Sequence, residues 1–391
     1  MALSHSPKIV TDSLVFMYDT DDGKSFKGEP TTNLITSGGI DFSQRSGYTN
    51  LQTSQVVDSR SPSGYACEME VLDGANINNA ARSKFGQGTN MPSSGNAFVS
   101  IFAKFEGGTY ANITPKIYNG SGTAWQSLSA LDGGSAYLTS EYRRFGYYGA
   151  ITANPGFSMT KGNSNKQTGQ KTRWHSPQVE LKSHATQFVN GTRSDTQGLI
   201  DRTSTSTINI SNASFDSNAQ MTFDGTDDYL AVPHDSSQSF TGDFSIEAVI
   251  KGESNTANCI IQKGSGNDYY QEYWLLQDMR SSQGKFSLIM GKSGNSSANY
   301  LNTSNVLSQN IYYHVVATVS GSTSKIFING VEAESGSISN RIQSTSDLRI
   351  GWRVDGFAAT NGEIPIVKLY NKALTAAEVL QNYNAQKGRF S

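Results

Sequence analysis

The chain reads as an all-β protein of two β-sandwich (jelly-roll) domains with one short helix near its C-terminus. Three observations carry this. Short runs of β-branched and aromatic residues recur between Gly-, Ser- and Asn-rich turns, roughly every 8–15 residues, as a two-sheet sandwich requires. Only 16% of the 391 residues are charged, below the roughly 25% of ordinary globular domains, while glycine reaches 38. Ile311 to Ala333 contains two alternating runs separated by Gly321-Ser322-Thr323-Ser324, and the second run closes on Asn329-Gly330. That dipeptide supplies the positive φ at both central positions of a type I′ turn, so it predicts a hairpin with one buried face. A lone hairpin is marginal, so this one belongs to a larger sheet.

In chain order, residues 9–18 make a first strand, followed by turn-rich residues 19–28. Phe98 to Lys104 alternates, Tyr142 to Tyr148 does so in part, and Trp174 to Glu180 and Ala185 to Val189 close the region. A polar passage, 192–218, leads to strand candidates at 221–230, 244–251, 259–263, 273–277, 285–290, 348–352 and 364–370. The helix signal is Thr375-Ala376-Ala377-Glu378, a capping box in which hydroxyl and carboxylate each satisfy an orphan amide. Leu374 and Val379 stand at the staple positions, and Val379, Leu380 and Tyr383 predict an apolar helix face.

Composition limits the functional classes. A net charge of −2 and the lack of any basic cluster give no case for nucleic acid or an anionic membrane. No run approaches the roughly 20 apolar residues of a membrane span, and the N-terminal segment does not read as a signal peptide. Cys67 and Cys259 fall in different predicted domains and read as free thiols. Triplets such as Asn112-Ile113-Thr114 then have no glycosylation context.

Residues 200–388 resemble a known family. Phe223-Asp224-Gly225-x-Asp227-Asp228-Tyr229 and Phe240-x-x-x-Phe244-Ser-Ile246-Glu247 look like the opening strands of a laminin-G-like, concanavalin A-like jelly roll. His314-Val-Val-Ala317, Ile328-Asn-Gly330, Leu348-x-Ile350-Gly351, Gly362-Glu-Ile364 and Leu369 through Glu378 continue its order. The version most resembled is that of tailed-bacteriophage virion proteins, which open with a motif like Ile9-Val10-Thr11-Asp12-x-Leu14-Val15. There the opening runs almost directly into the jelly roll. Here some 165 residues intervene. The expected organisation is therefore an N-terminal strand and turn (1–30) belonging to the C-terminal jelly roll (196–391), with 31–195 inserted, since insertions are tolerated where chain ends lie close. Trp174-x-Ser-Pro-Gln178-Val-Glu180 through Arg193 resembles a carbohydrate-binding-module-like sandwich.

The resemblance implies a virion surface structural protein, a capsid decoration or head/tail appendage with lectin-like glycan binding, assembled in the host cytoplasm. A tail-fibre adhesin for host envelope polysaccharide is the alternative. The absence of a coiled coil or shaft repeat argues against an independent long fibre. Expected partners are other virion proteins and host-surface glycans, with no nucleic acid or membrane, and a homotrimer is one expected assembly. An enzyme of polysaccharide degradation is the reading from another class. Glucanases on this fold carry paired carboxylates on one strand, whereas 244–251 offers only Glu247, so no catalytic residue is assigned. No zinc-like Cys/His cluster occurs, and His314 reads as a satisfied sheet residue. Asp224, Asp227 and Asp228 are candidate calcium ligands, against the simpler reading of a turn; otherwise no cofactor is expected. Sugar recognition needs aromatic faces beside polar groups. That chemistry singles out Tyr147, Tyr148, Tyr269, Tyr270, Trp352 and Asp355, with Trp274 and Trp352 favoured for the core.

Overall fold

The computed structural model describes residues 8–35, 40–42, 45–46, 51–73, 83–85, 95–108, 113–118, 125–151, 156–158, 167–280, 284–294, 296–304 and 307–390. The chain folds as two compact units. One comprises Met1–Glu29, Ser194–Asp216 and Gln220–Ser391; the other comprises Pro30–Arg193 with Ser217–Ala219. The Asn112 triplet lies outside the described residues in part.

The first unit is a sandwich of two antiparallel sheets. The eight-stranded sheet runs Ser214–Phe215, Met221–Asp224, Asn361–Tyr370, Phe244–Gly252, Tyr312–Ser320, Thr323–Ile328 and Val331–Ser337. The opening strand Leu14–Asp19 also pairs with Asn361–Tyr370, with Tyr18 opposite Val367. The seven-stranded sheet runs Asn209–Asn212, Tyr229–Val232, Leu348–Gly351, Ala257–Gly264, Gln271–Asp278, Lys285–Gly291 and Ala298–Asn302. Strand alternation fills the space between them. Ile246, Ala248, Val315, Ala317, Val367 and Leu369 come from one sheet, and Tyr273, Leu275, Phe286, Leu288 and Ile350 from the other.

The hairpin forms where the sequence places it. Asn329 and Gly330 have φ of 51° and 82°, and Ile328 pairs with Val331. The preceding turn is tighter than expected, because Ser320 already pairs with Thr323. The 298–302 strand carries no strong alternation signal in the sequence, and 185–189 forms no strand. The C-terminal helix α1 (Ala376–Gln386) starts on Thr375, which accepts from the Glu378 amide, and Glu378 closes the capping box. Leu374 and Val379 pack with Val10, Val316, Phe327 and Tyr370 on the outer side of the eight-stranded sheet. Its buried face differs from the sequence reading: Leu380 is 45% exposed, while Asn382 and Gln386 are buried. The reason is the cluster of charges that the helix covers, described below.

The second unit has a six-stranded sheet ordered Ser129–Ala130, Arg143–Ala150, Asn96–Gly107, Lys171–Glu180, Tyr65–Val71 and Leu51–Val57. A five-stranded sheet runs Arg45–Ser46, Ser83–Phe85, Gly156–Ser158, Lys116–Tyr118 and Trp125–Ser127. Val99, Ile101, Phe145, Phe157 and Trp174 lie in its core. Among the described residues no helix is long and apolar enough to cross a membrane.

Candidate ligand-binding groove

Residues alternating out of the core in the seven-stranded sheet form a groove of about 200 Å³. Its floor is Trp274, Leu276 and Ile289, part of a satellite apolar cluster with Cys259 and Ala358. Its sides are Asp268, Asp278, Arg280, Lys285, Ser287, Tyr300, Asn302 and Phe357. The neighbouring Leu348–Gly351 strand leads into a loop that the Trp352–Ala359 bridge closes, and this loop sets Phe357 over the floor.

Arg353 fastens the loop. Its Nε and Nη2 donate to the two Asp355 oxygens at 2.6 Å each, and its Nη1 donates to Asp268 Oδ1 at 2.7 Å. The guanidinium lies over the Trp274 ring at 4.6 Å and the Phe357 ring at 4.3 Å. Arg280 approaches Phe357 at 4.8 Å while donating twice to Asp278 at 2.9 Å. Phe357 is thus 53% exposed and flanked by two cations, the arrangement in which a ring face is electrostatically held in place. Tyr300 donates to Asp268 Oδ2 at 2.8 Å. Partial burial, with this bond to a carboxylate, pushes its phenol up to about 12, so it stays protonated. Arg280 holds Asp278 ionised below the usual carboxylate range, against the opposing effect of burial. Three cations (Arg280, Lys285, Arg353) face three carboxylates (Asp268, Asp278, Asp355), so the groove has no net charge. An apolar floor, exposed ring faces and hydroxyl-binding side chains suit a neutral, hydroxyl-rich ligand with C–H patches.

The sequence-selected residues fall in several places. Tyr269 and Tyr270 occupy the short turn Asp268–Tyr270 beside the groove, their rings 4.5 Å apart, with Tyr270 39% exposed. Trp352 stacks on Tyr229 at 5.4 Å, with Arg349 over both rings, so it supports the loop root. Asp355 gives both oxygens to Arg353. Tyr147 and Tyr148 belong to the other unit, where Tyr147 packs against the core and Tyr148 is exposed. Phe357, Tyr300 and Arg280 were not singled out in the sequence. The available signal was an aromatic residue directly after Asp355-Gly356; 298–302, without strong alternation, offered none for Tyr300.

Asp224, Asp227 and Asp228 do converge, their carboxylate oxygens lying within 4.8 Å of one another. Two are engaged by the turn itself. Asp228 Oδ2 accepts from the Asp224 amide at 2.8 Å, and Asp224 Oδ1 accepts from the Thr226 amide at 2.8 Å. Burial pushes the Asp228 carboxyl up, with hydrogen bonds from Ser214 and the Asp224 amide opposing. Three side-chain ligands fall short of the six to eight oxygens calcium takes. The expected outcome is a melting temperature unchanged by EDTA; a calcium-dependent rise of several degrees would assign the cluster to the ion instead.

Glu247 is sealed under α1. Its Oε1 accepts from Lys368 Nζ at 2.6 Å, Gln386 Nε2 at 3.0 Å and His314 Nε2 at 3.1 Å. Its Oε2 accepts from Asn382 Nδ2 at 2.5 Å and Tyr370 Oη at 3.4 Å. Burial raises its pKa, but the Lys368 charge and the His314 bond outweigh that and hold it well below the usual carboxylate range. This is a structural charge cluster, with no second carboxylate in its hydrogen-bond shell among the described residues. Cys259 is likewise buried, which pushes its thiol up to about 12 and leaves it unreactive at neutral pH.

Two antiparallel sheets packed face to face, with a loop-capped groove on one outer face, define a jelly-roll β-sandwich by architecture. Residues 224–380, somewhat under half of the chain, match the laminin G-type family model described as the Concanavalin A-like lectin/glucanases superfamily, and this segment has that fold. Among solved structures the chain is similar to the botulinum neurotoxin serotype D ligand-binding domain in complex with N-acetylneuraminic acid, at 16% identity and TM-score 0.39, covering 50% of each chain. It is also similar to the botulinum neurotoxin serotype G binding domain, at 17% identity and TM-score 0.39, covering 49% of each. A third is the heptameric SAP-like pentraxin from Limulus polyphemus, at 17% identity and TM-score 0.32, covering 41% of this chain and 78% of that one. The chain thus spans about half the length of the first two. No curated protein matches it.

Proposed function

We propose that the jelly-roll unit is a lectin-like module whose groove binds a neutral glycan, and that the chain acts by binding and not by catalysis. The observation that carries this is Phe357, exposed over an apolar floor and held between Arg280 and Arg353. A ring fixed in that way offers its face to sugar C–H groups, while Asp278, Ser287, Asn302 and Lys285 meet hydroxyls. Replacing Phe357 by alanine removes one stacking surface, for a loss of about 1–2 kcal/mol or roughly 5- to 30-fold in glycan affinity. Because Phe357 is largely exposed, its melting temperature stays near wild type. Titration against a glycan panel reads both.

The biological setting we infer is the surface of a tailed-bacteriophage virion, as a capsid decoration or head/tail appendage. The ordered motifs from Ile9 to Tyr383 support it, and so does the seating of the Leu14–Asp19 strand in the same sheet as the jelly-roll strands. Other virion proteins and host-surface glycans are the partners on this reading, with a homotrimer as the assembly to test by light scattering. The second unit is taken as carbohydrate-binding-module-like, with exposed Tyr148 as its candidate contact. The test offers labelled protein to host cells and, separately, to particles lacking it. Sugar-competed binding to cells favours the tail-fibre adhesin form, and binding to particles alone favours decoration. Binding to neither removes the virion assignment. Loss of polymer viscosity that Glu247→Gln abolishes would restore the enzyme reading.

A further inference from the structure

A second cavity, of about 70 Å³, lies between the outer face of the eight-stranded sheet and the C-terminal segment. Val249, Tyr312, His314 and Asn329 line it from the sheet side, and Tyr383, Gln386, Lys387 and Phe390 from the other. Two of its polar groups are nearly sealed from solvent: His314 is 4% exposed and Gln386 3%. Each spends one atom on Glu247, leaving His314 Nδ1 and Gln386 Oε1 without a hydrogen-bond partner.

The chemistry of those two atoms is fixed by Glu247. An ionised carboxylate only accepts, so His314 Nε2 carries a hydrogen, and in the neutral imidazole this leaves Nδ1 as an acceptor. Gln386 turns its amide nitrogen to the same carboxylate, so its Oε1 is also an acceptor. An occupant facing the neutral imidazole therefore donates two hydrogen bonds. The Tyr312, Tyr383 and Phe390 rings offer apolar walls, which suit C–H groups. A cation would meet Lys387 in the wall and Lys368 beneath. The volume exceeds the roughly 10–15 Å³ that admits one water by about fivefold.

We propose that this cavity is a binding site for a small neutral polyol, whose adjacent hydroxyls donate to His314 Nδ1 and Gln386 Oε1 while its C–H face lies on the aromatic walls. It is independent of the groove and uses none of its residues.

The test is a glycerol titration of the full chain labelled with ¹⁵N-histidine, with the His314 signal assigned from a His314→Asn variant. A saturable shift at His314 Nδ1 is expected. Val249→Phe fills the cavity and abolishes the shift. Phe390→Ala, which touches no hydrogen bond of the Glu247 cluster, weakens binding roughly fivefold by removing one aromatic wall. Circular dichroism confirms that both variants fold. No saturable shift, an unchanged shift in a folded Val249→Phe variant, or a response to methylammonium but not to glycerol overturns the proposal. Since Phe357→Ala leaves this titration unchanged, failure here and failure of the glycan reading are told apart.

Discussion

Replacing Lys368 by methionine lowers the melting temperature by roughly 6–20 °C. Glu247 and Lys368 are both 0% exposed, so the lysine is the one full positive charge bonded to a carboxylate that water cannot reach. Removing one partner of such a pair costs about 3–5 kcal/mol, because the other stays buried and uncompensated. In a domain of this size each kcal/mol moves the midpoint by about 2–4 °C. Adding Glu247→Gln to the variant recovers a large part of the loss, since the charge goes while an acceptor for His314 and Lys368's former neighbours remains. If the double variant is no more stable than the single one, packing of the lysine stem, and not its charge, is what the site needs. The same carboxylate sets an acid limit. Its folded pKa lies below its unfolded value, so the folded state binds fewer protons and the contribution is complete above about pH 4.3. As pH falls below that toward the folded pKa, it is lost. Urea melts at pH 7, 4 and 3 should show this slope in the wild type and a shallower one in Glu247→Gln.

Replacing Arg353 by methionine should remove groove binding more completely than losing Phe357 does. The guanidinium is 5% exposed and donates three hydrogen bonds to two carboxylates. Without it Asp268 and Asp355 lose their common cation, and Phe357 and Trp274 lose the group packed between them. Charge-assisted bonds of this kind contribute about 1.5–3 kcal/mol, so a midpoint drop of roughly 3–12 °C accompanies the binding loss. Amide exchange should rise at residues 354–358. Arg353→Lys restores charge but not the two-pronged fit to Asp355, so it rescues only in part. Full glycan affinity in a folded Arg353→Met protein would rule the groove out as the binding site.

The residues differ in how far their roles could be read along the chain. Asn329-Gly330, Thr375 with Glu378, and the alternation through 312–320 act on neighbours a few positions away, and their backbone preferences are set by local sterics and hydrogen bonds. The jelly-roll motif order reads equally well, and residues 224–380 match that fold. Trp352 and Asp355 attracted attention by chemistry, yet Asp355 serves Arg353 and Trp352 serves Tyr229. Nothing in their composition distinguishes a ligand contact from a loop clasp.

Sequence alone determined the all-β character, the tight turn and the helix start, because each depends on dihedral preference and short-range pairing. Only tertiary structure decided which strands became neighbours. That decision brought Asp268, Arg280, Tyr300 and Phe357 to one groove from four separate segments. It also altered the expected face of α1: Val379 stayed inside, but Asn382 and Gln386 joined it and Leu380 went outside, because part of the surface beneath the helix is a carboxylate that requires donors. Hydrophobic periodicity describes a helix laid on hydrocarbon. A helix laid on a buried charge follows hydrogen-bond demand, which is set by residues more than a hundred positions away.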